Sequence, residues 1–263
     1  MSNTLKEILA ERKKLIEMEK RSNILEDIRK LKEELGVERK RISLRKKIKL
    51  CNDRYPIITE IKPKSPSKGR IMEIKEEDVK EIAEKMKRGG AIGISVLTEP
   101  KFFGGSYRNL VYAKLSKLPI LMKDFVIDKY QLDIANEISD SVLLIVSALK
   151  ERLGEFLDYA DDLNLEPLVE VHNEEELDLA LDFGAKLIGI NSRDLKTLKI
   201  DLNTIKRLAP LIPKKVVKVG ESGIYKKEEL VEMFNYVDGY LIGSSIMESD
   251  DIERKVKELS SKE

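Results

Sequence analysis

The sequence predicts an α/β fold, a closed (β/α)8 TIM barrel carrying an N-terminal helical extension, from three observations. Eight short apolar runs recur after Pro56, amphipathic segments of helical period separate them, and the runs end repeatedly in polar or small residues. Runs buried on both faces and joined by single helices call for parallel pairing, because parallel neighbours need crossover connections. An open doubly wound sheet is the alternative, but no glycine-rich fingerprint follows the first run. The 263 residues divide into an extension over 1–49, packing on the barrel, and a catalytic barrel over 50–263.

In the extension, Leu5, Ile8 and Leu9, then Ile24, Leu25, Ile28, Leu31 and Leu35, fall at helical spacing. Asn23 with Glu26 fits a capping box and Gly36 a C-cap. The basic run from Arg39 to Lys49 reads as a solvated helix face, with attraction for phosphate as the competing reading.

The first strand runs from Ile57 to Lys62 and is stopped by Pro63, Pro66 and Gly69. Glu60 and Lys62 lie two apart, so both side chains leave the same face, either as site residues or as an exposed ion pair closing the strand. Further strands are expected at Ile92–Leu97, Ile120–Lys123, Val142–Val146, Leu168–Val171, Leu187–Asn191, Val216–Val219 and Tyr240–Ile242. Helices are expected over Val79–Gly89, Tyr130–Ser139, Leu153–Leu163, Glu174–Gly184 and Lys226–Asn235.

A barrel carries its site at the C-terminal ends of its strands. Those ends hold Glu60, Lys62, Lys123, Glu170, Asn191, Arg193 and Glu221, which would shift one another's protonation equilibria around one mouth. Ser222 and Gly223 after the seventh strand, with Gly243 and Ser244 after the eighth, offer backbone N–H groups to an anion; two ordinary tight turns are the alternative.

Composition excludes several classes. No apolar run approaches the roughly 18 residues of a membrane span, and the N-terminus lacks the apolar core of a signal peptide, so a cytoplasmic protein without membrane contact is expected. Lys plus Arg (49) nearly cancel Asp plus Glu (48), which gives no case for a nucleic-acid partner. With Cys51 and His172 as the sole cysteine and histidine, neither a disulfide framework nor a Cys-cluster metal site is expected, and no cofactor. A charged fraction of 37% suggests a heat-adapted surface.

The segments EIKPKSPSKG, SVLTEPKFFGGS, PILMKDF, LLIVSAL, EPLVEVH, IGINSRDLKT, VGESGI and LIGSSIM, in this order, resemble indole-3-glycerol phosphate synthase. The resemblance implies decarboxylating ring closure of 1-(2-carboxyphenylamino)-1-deoxyribulose 5-phosphate in tryptophan biosynthesis. It implies Lys123 as the acid that protonates the ribulose carbonyl, with Lys62, Glu60 and Glu170 sharing the later acid and base work, and Asn191 holding a hydroxyl or the amine. Phe103 and Phe125 would flank the anthranilate ring, or merely fill core. Ser65, Ser222, Gly223, Gly243 and Ser244 would hold the phosphate, and Arg193 and Glu221 complete the substrate set. The expected partner is thus a small phosphorylated molecule; the sequence does not set the oligomeric state, for which a monomer is favoured. Three rivals remain at this point. A phosphoribosylanthranilate isomerase would need a cysteine ending the first strand, where Cys51 does not fall; the others are a Schiff-base aldolase and a non-catalytic sugar-phosphate binder.

Overall fold

The computed structural model describes residues 3–38, 40–195 and 197–262. Eight parallel strands close into one barrel: β1 (Ile57–Ile61), β2 (Gly93–Leu97), β3 (Ile120–Lys123), β4 (Ser141–Ile145), β5 (Glu166–Val171), β6 (Leu187–Asn191), β7 (Val217–Glu221) and β8 (Gly239–Ile242). The seam is β1 against β8, with Ile57 opposite Tyr240 and Thr59 opposite Ile242. The expected runs match these strands to within two residues at either end. Val146 leaves the fourth run to begin a short helix, Val146–Leu149, and the seventh continues to Glu221, which pairs with Asn191 on one side and Leu241 on the other.

The crossover helices follow from amphipathic period and end chemistry. Glu76–Arg88 buries Val79, Ile82, Ala83 and Met86 on one stripe, with Glu76, Glu77 and Asp78 in its first turn and Lys85, Lys87 and Arg88 in its last, which complements the helix dipole. Helices Lys129–Ile138, Leu153–Asp162, Glu174–Asp182 and Lys227–Met233 lie where the period places them. Among the described residues, no helix is long and apolar enough to cross a membrane.

Strand alternation builds two apolar layers. Ile57, Ile61, Ile120, Met122, Val169 and Val171 pack outward under the helices. Ile58, Leu121, Leu143, Leu168, Val217 and Leu241 fill the barrel interior. Continuing the inward set by two residues at a time leads from Ile58 to Glu60, from Leu121 to Lys123, from Leu168 to Glu170 and from Val219 to Glu221. The interior therefore changes from apolar to ionised at one end, which is the mouth.

Among the described residues, three helices precede the barrel: α1 (Asn3–Arg21), α2 (Ile24–Glu34) and α3 (Leu44–Leu50). Gly36 takes φ +62°, and the N–H groups of Gly36 and Val37 bond back to the Glu33 and Lys32 carbonyls, the expected C-cap. Asn23 does not form the expected capping box. It adopts φ 57° and its side chain caps nothing; only its carbonyl accepts the Glu26 N–H, at 2.9 Å, because the turn between α1 and α2 needs a left-handed residue, which Asn tolerates. α3 plugs the base of the barrel. Leu44 and Ile48 join the interior cluster, and the Ser43 hydroxyl donates to Glu166 at 2.8 Å. Of the basic run, Arg39 lies outside the described residues. Its neighbours face the barrel base: Arg41 donates to the Ser139 carbonyl at 2.6 Å and Arg45 pairs with Glu166 at 3.4 Å, so the run sits at the end opposite the mouth.

Candidate active site

The inward residues at the mouth form two linked ion clusters. Lys62 Nζ lies 2.9 Å from Glu60 Oε1, and the Ser95 hydroxyl donates to Glu60 Oε2 at 3.3 Å. Lys123 Nζ donates to Glu221 Oε2 at 2.6 Å and to Glu170 Oε2 at 3.3 Å. All three carboxylates are buried, at 3%, 2% and 1% exposure for Glu60, Glu170 and Glu221.

Burial at this density forces the protonation states apart. Burial lowers the Lys123 ammonium, but Glu221, Glu170 and Glu60 outweigh it and hold the group well above the ordinary lysine range. Burial raises Glu170, yet Lys123, His172 and the Asn191 amide bring its carboxyl far below the usual value. Glu60 is likewise pushed up by burial and drawn lower overall by Lys62 and Lys123. Glu221 goes the other way: burial raises it, Lys123 only partly offsets this, and the charges of Glu170 and Glu60 add to the rise. Three neighbouring carboxyls thus divide into two held low and ionised and one, Glu221, pushed up to about 7.

The rest of the mouth orients these groups. Asn191 Oδ1 accepts the Ser222 hydroxyl at 2.9 Å and the Arg193 N–H at 3.0 Å, which leaves its amide nitrogen for Glu170. Arg193 itself donates to the Leu198 carbonyl at 3.0 Å. The Phe103 and Phe125 rings meet with centroids 5.8 Å apart at 40°, forming an apolar wall. In the loop after β1, where the Lys64 N–H bonds to the Phe103 carbonyl at 3.2 Å, the Ser65 hydroxyl sits 3.4 Å from that of Ser67. Among the described residues, the N–H groups of Ser222, Gly223, Gly243 and Ser244 enter no turn, loop or cap hydrogen bond, and Ser222 and Gly223 take φ of 67° and 89°. These groups enclose a cavity of about 150 Å³.

The indole-3-glycerol phosphate synthase family model matches residues 5–259. The chain belongs to this family. An indole-3-glycerol phosphate synthase of Methanocaldococcus jannaschii is 58% identical over 97% of both chains. One of Aquifex aeolicus is 48% identical over 89% of this chain and 91% of its own. Thiamine phosphate pyrophosphorylase from Pyrococcus furiosus, 18% identical with a TM-score of 0.57 over 82% of this chain and 96% of its own, shares the fold alone.

As a member of this family, the chain is a decarboxylating lyase of tryptophan biosynthesis, acting on a phosphorylated small molecule. Every site residue expected from the sequence lines the one cavity: Glu60, Lys62, Lys123, Glu170 and Asn191 with Ser65, Phe103, Phe125, Arg193, Glu221, Ser222, Gly223, Gly243 and Ser244. Sequence reasoning missed Leu5 and Ile8 of α1, which reach the cavity wall from outside the barrel. It also missed Gly189, above which the Glu221 carboxylate lies; a Cβ there would collide with Glu221 Oε1. The glycine inside LIGIN was the available signal, since an interior glycine marks a close approach.

Proposed function

We propose that this mouth divides the family's reaction among its residues as follows. The carboxyphenyl ring packs against Phe103 and Phe125, and the phosphate is held across the cavity by the backbone N–H groups around Ser222, Gly223, Gly243 and Ser244, with Ser65 beside them. The substrate chain is thereby stretched over the ion clusters. Lys123 donates to the ribulose carbonyl oxygen while the ring carbon that bears the carboxylate attacks the carbonyl carbon. A carbon–carbon bond forms and the carbonyl becomes a hydroxyl. Loss of carbon dioxide returns its bonding electron pair to the ring and restores aromaticity. The new hydroxyl then leaves as water, protonated by an acid of the mouth while a carboxylate there takes a proton from the new ring; Lys62, Glu60 and Glu170, drawn from both clusters, share this work. Arg193 and Asn191 hold the sugar hydroxyls, and Glu221 secures Lys123.

The observation that carries this reading is Lys123, a cavity-lining cation, its side chain 16% exposed, 2.6 Å from Glu221 and 3.3 Å from Glu170. Its charge is fixed before substrate arrives, so the developing oxyanion meets a preorganised donor rather than one that must be recruited from solvent. Lys123→Met keeps the length of the side chain and removes the proton. Turnover, read as indole fluorescence on addition of the phosphorylated anthranilate adduct, should fall by about 10²- to 10⁴-fold while substrate still binds. A chain without tryptophan gives this assay a low background. Near wild-type turnover in the variant rejects Lys123 as the acid.

A further inference from the structure

His172, the sole histidine, sits two residues beyond Glu170 and is 9% exposed at its side chain. Its backbone N–H and its Nδ1 both lie 2.9 Å from Glu176 Oε2. The other oxygen of Glu176 accepts from the Asn173 amide at 3.2 Å, and Asn173 in turn caps the helix Glu174–Asp182 by accepting the Glu176 N–H. The imidazole is thus seated by a carboxylate that is itself held at both oxygens. That seating turns Nε2 toward the barrel mouth, 3.3 Å from Glu170 Oε1. Nε2 is buried and, among the described residues, has no aligned hydrogen-bond partner, so its contact with Glu170 is one of charge and close approach. Glu170 Oε2 meanwhile faces Lys123 at 3.3 Å.

We propose that His172 is a positioning residue for the reaction: seated by Glu176, it fixes one oxygen of the Glu170 carboxylate and thereby aims the other at Lys123 and the substrate. The inference rests on the acid–base reading of Glu170 given above. A purely structural histidine closing the β5 loop would be served by the Glu176 contact alone. The second ring nitrogen, buried and turned to the mouth, is what the loop does not require.

The charges around the pair set the sign of the effect. Glu170 is faced by Lys123 of β3, by His172, by the neutral Asn191 amide of β6 and, as a like charge, by Glu221 of β7; His172 is faced by Glu170 and Glu176. Burial lowers His172, but the two glutamates raise it to about 10, so it is an imidazolium at neutral pH. Without that charge Glu170 keeps Lys123 as its close cation, and its carboxyl pKa must rise. A general base that protonates more easily loses activity first at the acid side.

The test uses the full chain with His172→Ala, His172→Gln, Glu176→Gln and Glu170→Gln, assayed by indole fluorescence from about pH 9 down to about pH 2.5, because the Glu170 limb starts far on the acid side, with folding at each pH followed by circular dichroism. His172→Ala should lower kcat by up to about 10²-fold with KM within roughly threefold of wild type, the signature of a misplaced group. Its acid limb should move up by about 1 to 2 pH units, the effect of removing a nearby opposite charge. His172→Gln retains a donor near the Nε2 position without the charge, so it should restore part of kcat but not the acid limb. Glu176→Gln should shift the limb in the same direction. A folded His172→Ala or His172→Gln with the wild-type pH profile and kcat, beside an inactive Glu170→Gln, overturns the positioning role and leaves Glu170 in place. An active Glu170→Gln overturns both.

Discussion

Gly243 serves two neighbours at once. A Cβ built there would lie 2.5 Å from Glu60 Oε1 and 3.1 Å from Lys62 Nζ, so a side chain at this position displaces the acid–base pair as well as any anion on the backbone. Gly243→Val should therefore lose both inorganic phosphate binding and kcat. Ser244→Ala removes one hydroxyl and should weaken substrate binding by roughly 10- to 150-fold at most, the value of one hydrogen bond to a charged group, with kcat retained. Calorimetry of phosphate binding with steady-state kinetics on both variants separates the cases; wild-type phosphate affinity in both would move the anion elsewhere on the rim. The ionised half of this site was legible in the sequence because period-2 alternation carries an apolar inward set onto Glu60, Lys123, Glu170 and Glu221. His172 obeys the same rule two residues after Glu170, as Lys62 does after Glu60, yet a lone histidine is recognisable as a partner only once Glu176 is seen to seat it. Which carboxyl keeps its proton was not legible, since that depends on distances between strands far apart in sequence.

α1 is the element whose face the sequence shows without showing what it covers. Leu5, Ile8, Arg12 and Ile16 are all buried, at helical spacing, with a guanidinium in the third place of an apolar stripe. Arg12 Nε donates to Asp124 Oδ1 at 2.9 Å and another of its nitrogens to Oδ2 at 3.0 Å; Glu19 and the Tyr107 hydroxyl take its remaining donors. This fork fastens α1 to the residue after Lys123, and in doing so brings Leu5 and Ile8 to the cavity wall. Amphipathic period gives a helix its buried side but not its partner, and a single arginine in the stripe looks like an interruption until Asp124 is found beneath it. The four-residue helices Val146–Leu149 and Ser244–Met247 escaped for a different reason, being too short to show any period. Arg12→Met keeps the stripe apolar but leaves Asp124 buried without its cation, which should cost about 3–5 kcal/mol. Thermal unfolding should shift down by roughly 10 °C, α1 should be cut earlier in limited proteolysis, and KM should rise as the cavity wall loosens. Arg12→Lys, which keeps the charge and loses the fork, should fall between. A midpoint within about 1 °C of wild type and an unchanged digest would show that α1 is held by its apolar contacts alone.

At the scale of the whole molecule, the two ends of the barrel sequence meet where the chemistry is. Thr59 stands opposite Ile242 across the β1–β8 seam, so the next residues, Glu60 and Gly243, bring the Glu60–Lys62 ion pair and the Gly243 turn together only when the barrel is shut. Closure is reinforced outside by ion pairs that cross between elements. Arg88 on Glu76–Arg88 reaches Glu253 of Ile252–Ser260 at 2.7 Å, Lys68 reaches Glu248 at 2.6 Å, and Lys20 and Arg29 tie α1 and α2 to Asp128 and Glu137 at 2.7 and 2.6 Å. The charged fraction in the composition supplies the charges but not their pairings, because salt-bridge partners are fixed by tertiary neighbours. Each exposed pair is worth about 0–1 kcal/mol at room temperature and more when hot, as the cost of stripping water from charges falls. Their sum should therefore be visible in the unfolding midpoint and sensitive to screening. Raising sodium chloride from about 0.01 to 1 M shortens the Debye length from roughly 30 to 3 Å and should lower the midpoint by several degrees. The inner pairs should resist: Arg12 with Asp124 is fully buried and Lys123 with Glu221 nearly so, so salt screens them much less and kcat at a fixed moderate temperature should change far less than the midpoint. A midpoint that is flat or rising with salt would mean that the crossing pairs contribute nothing net and that closure rests on the two apolar layers alone.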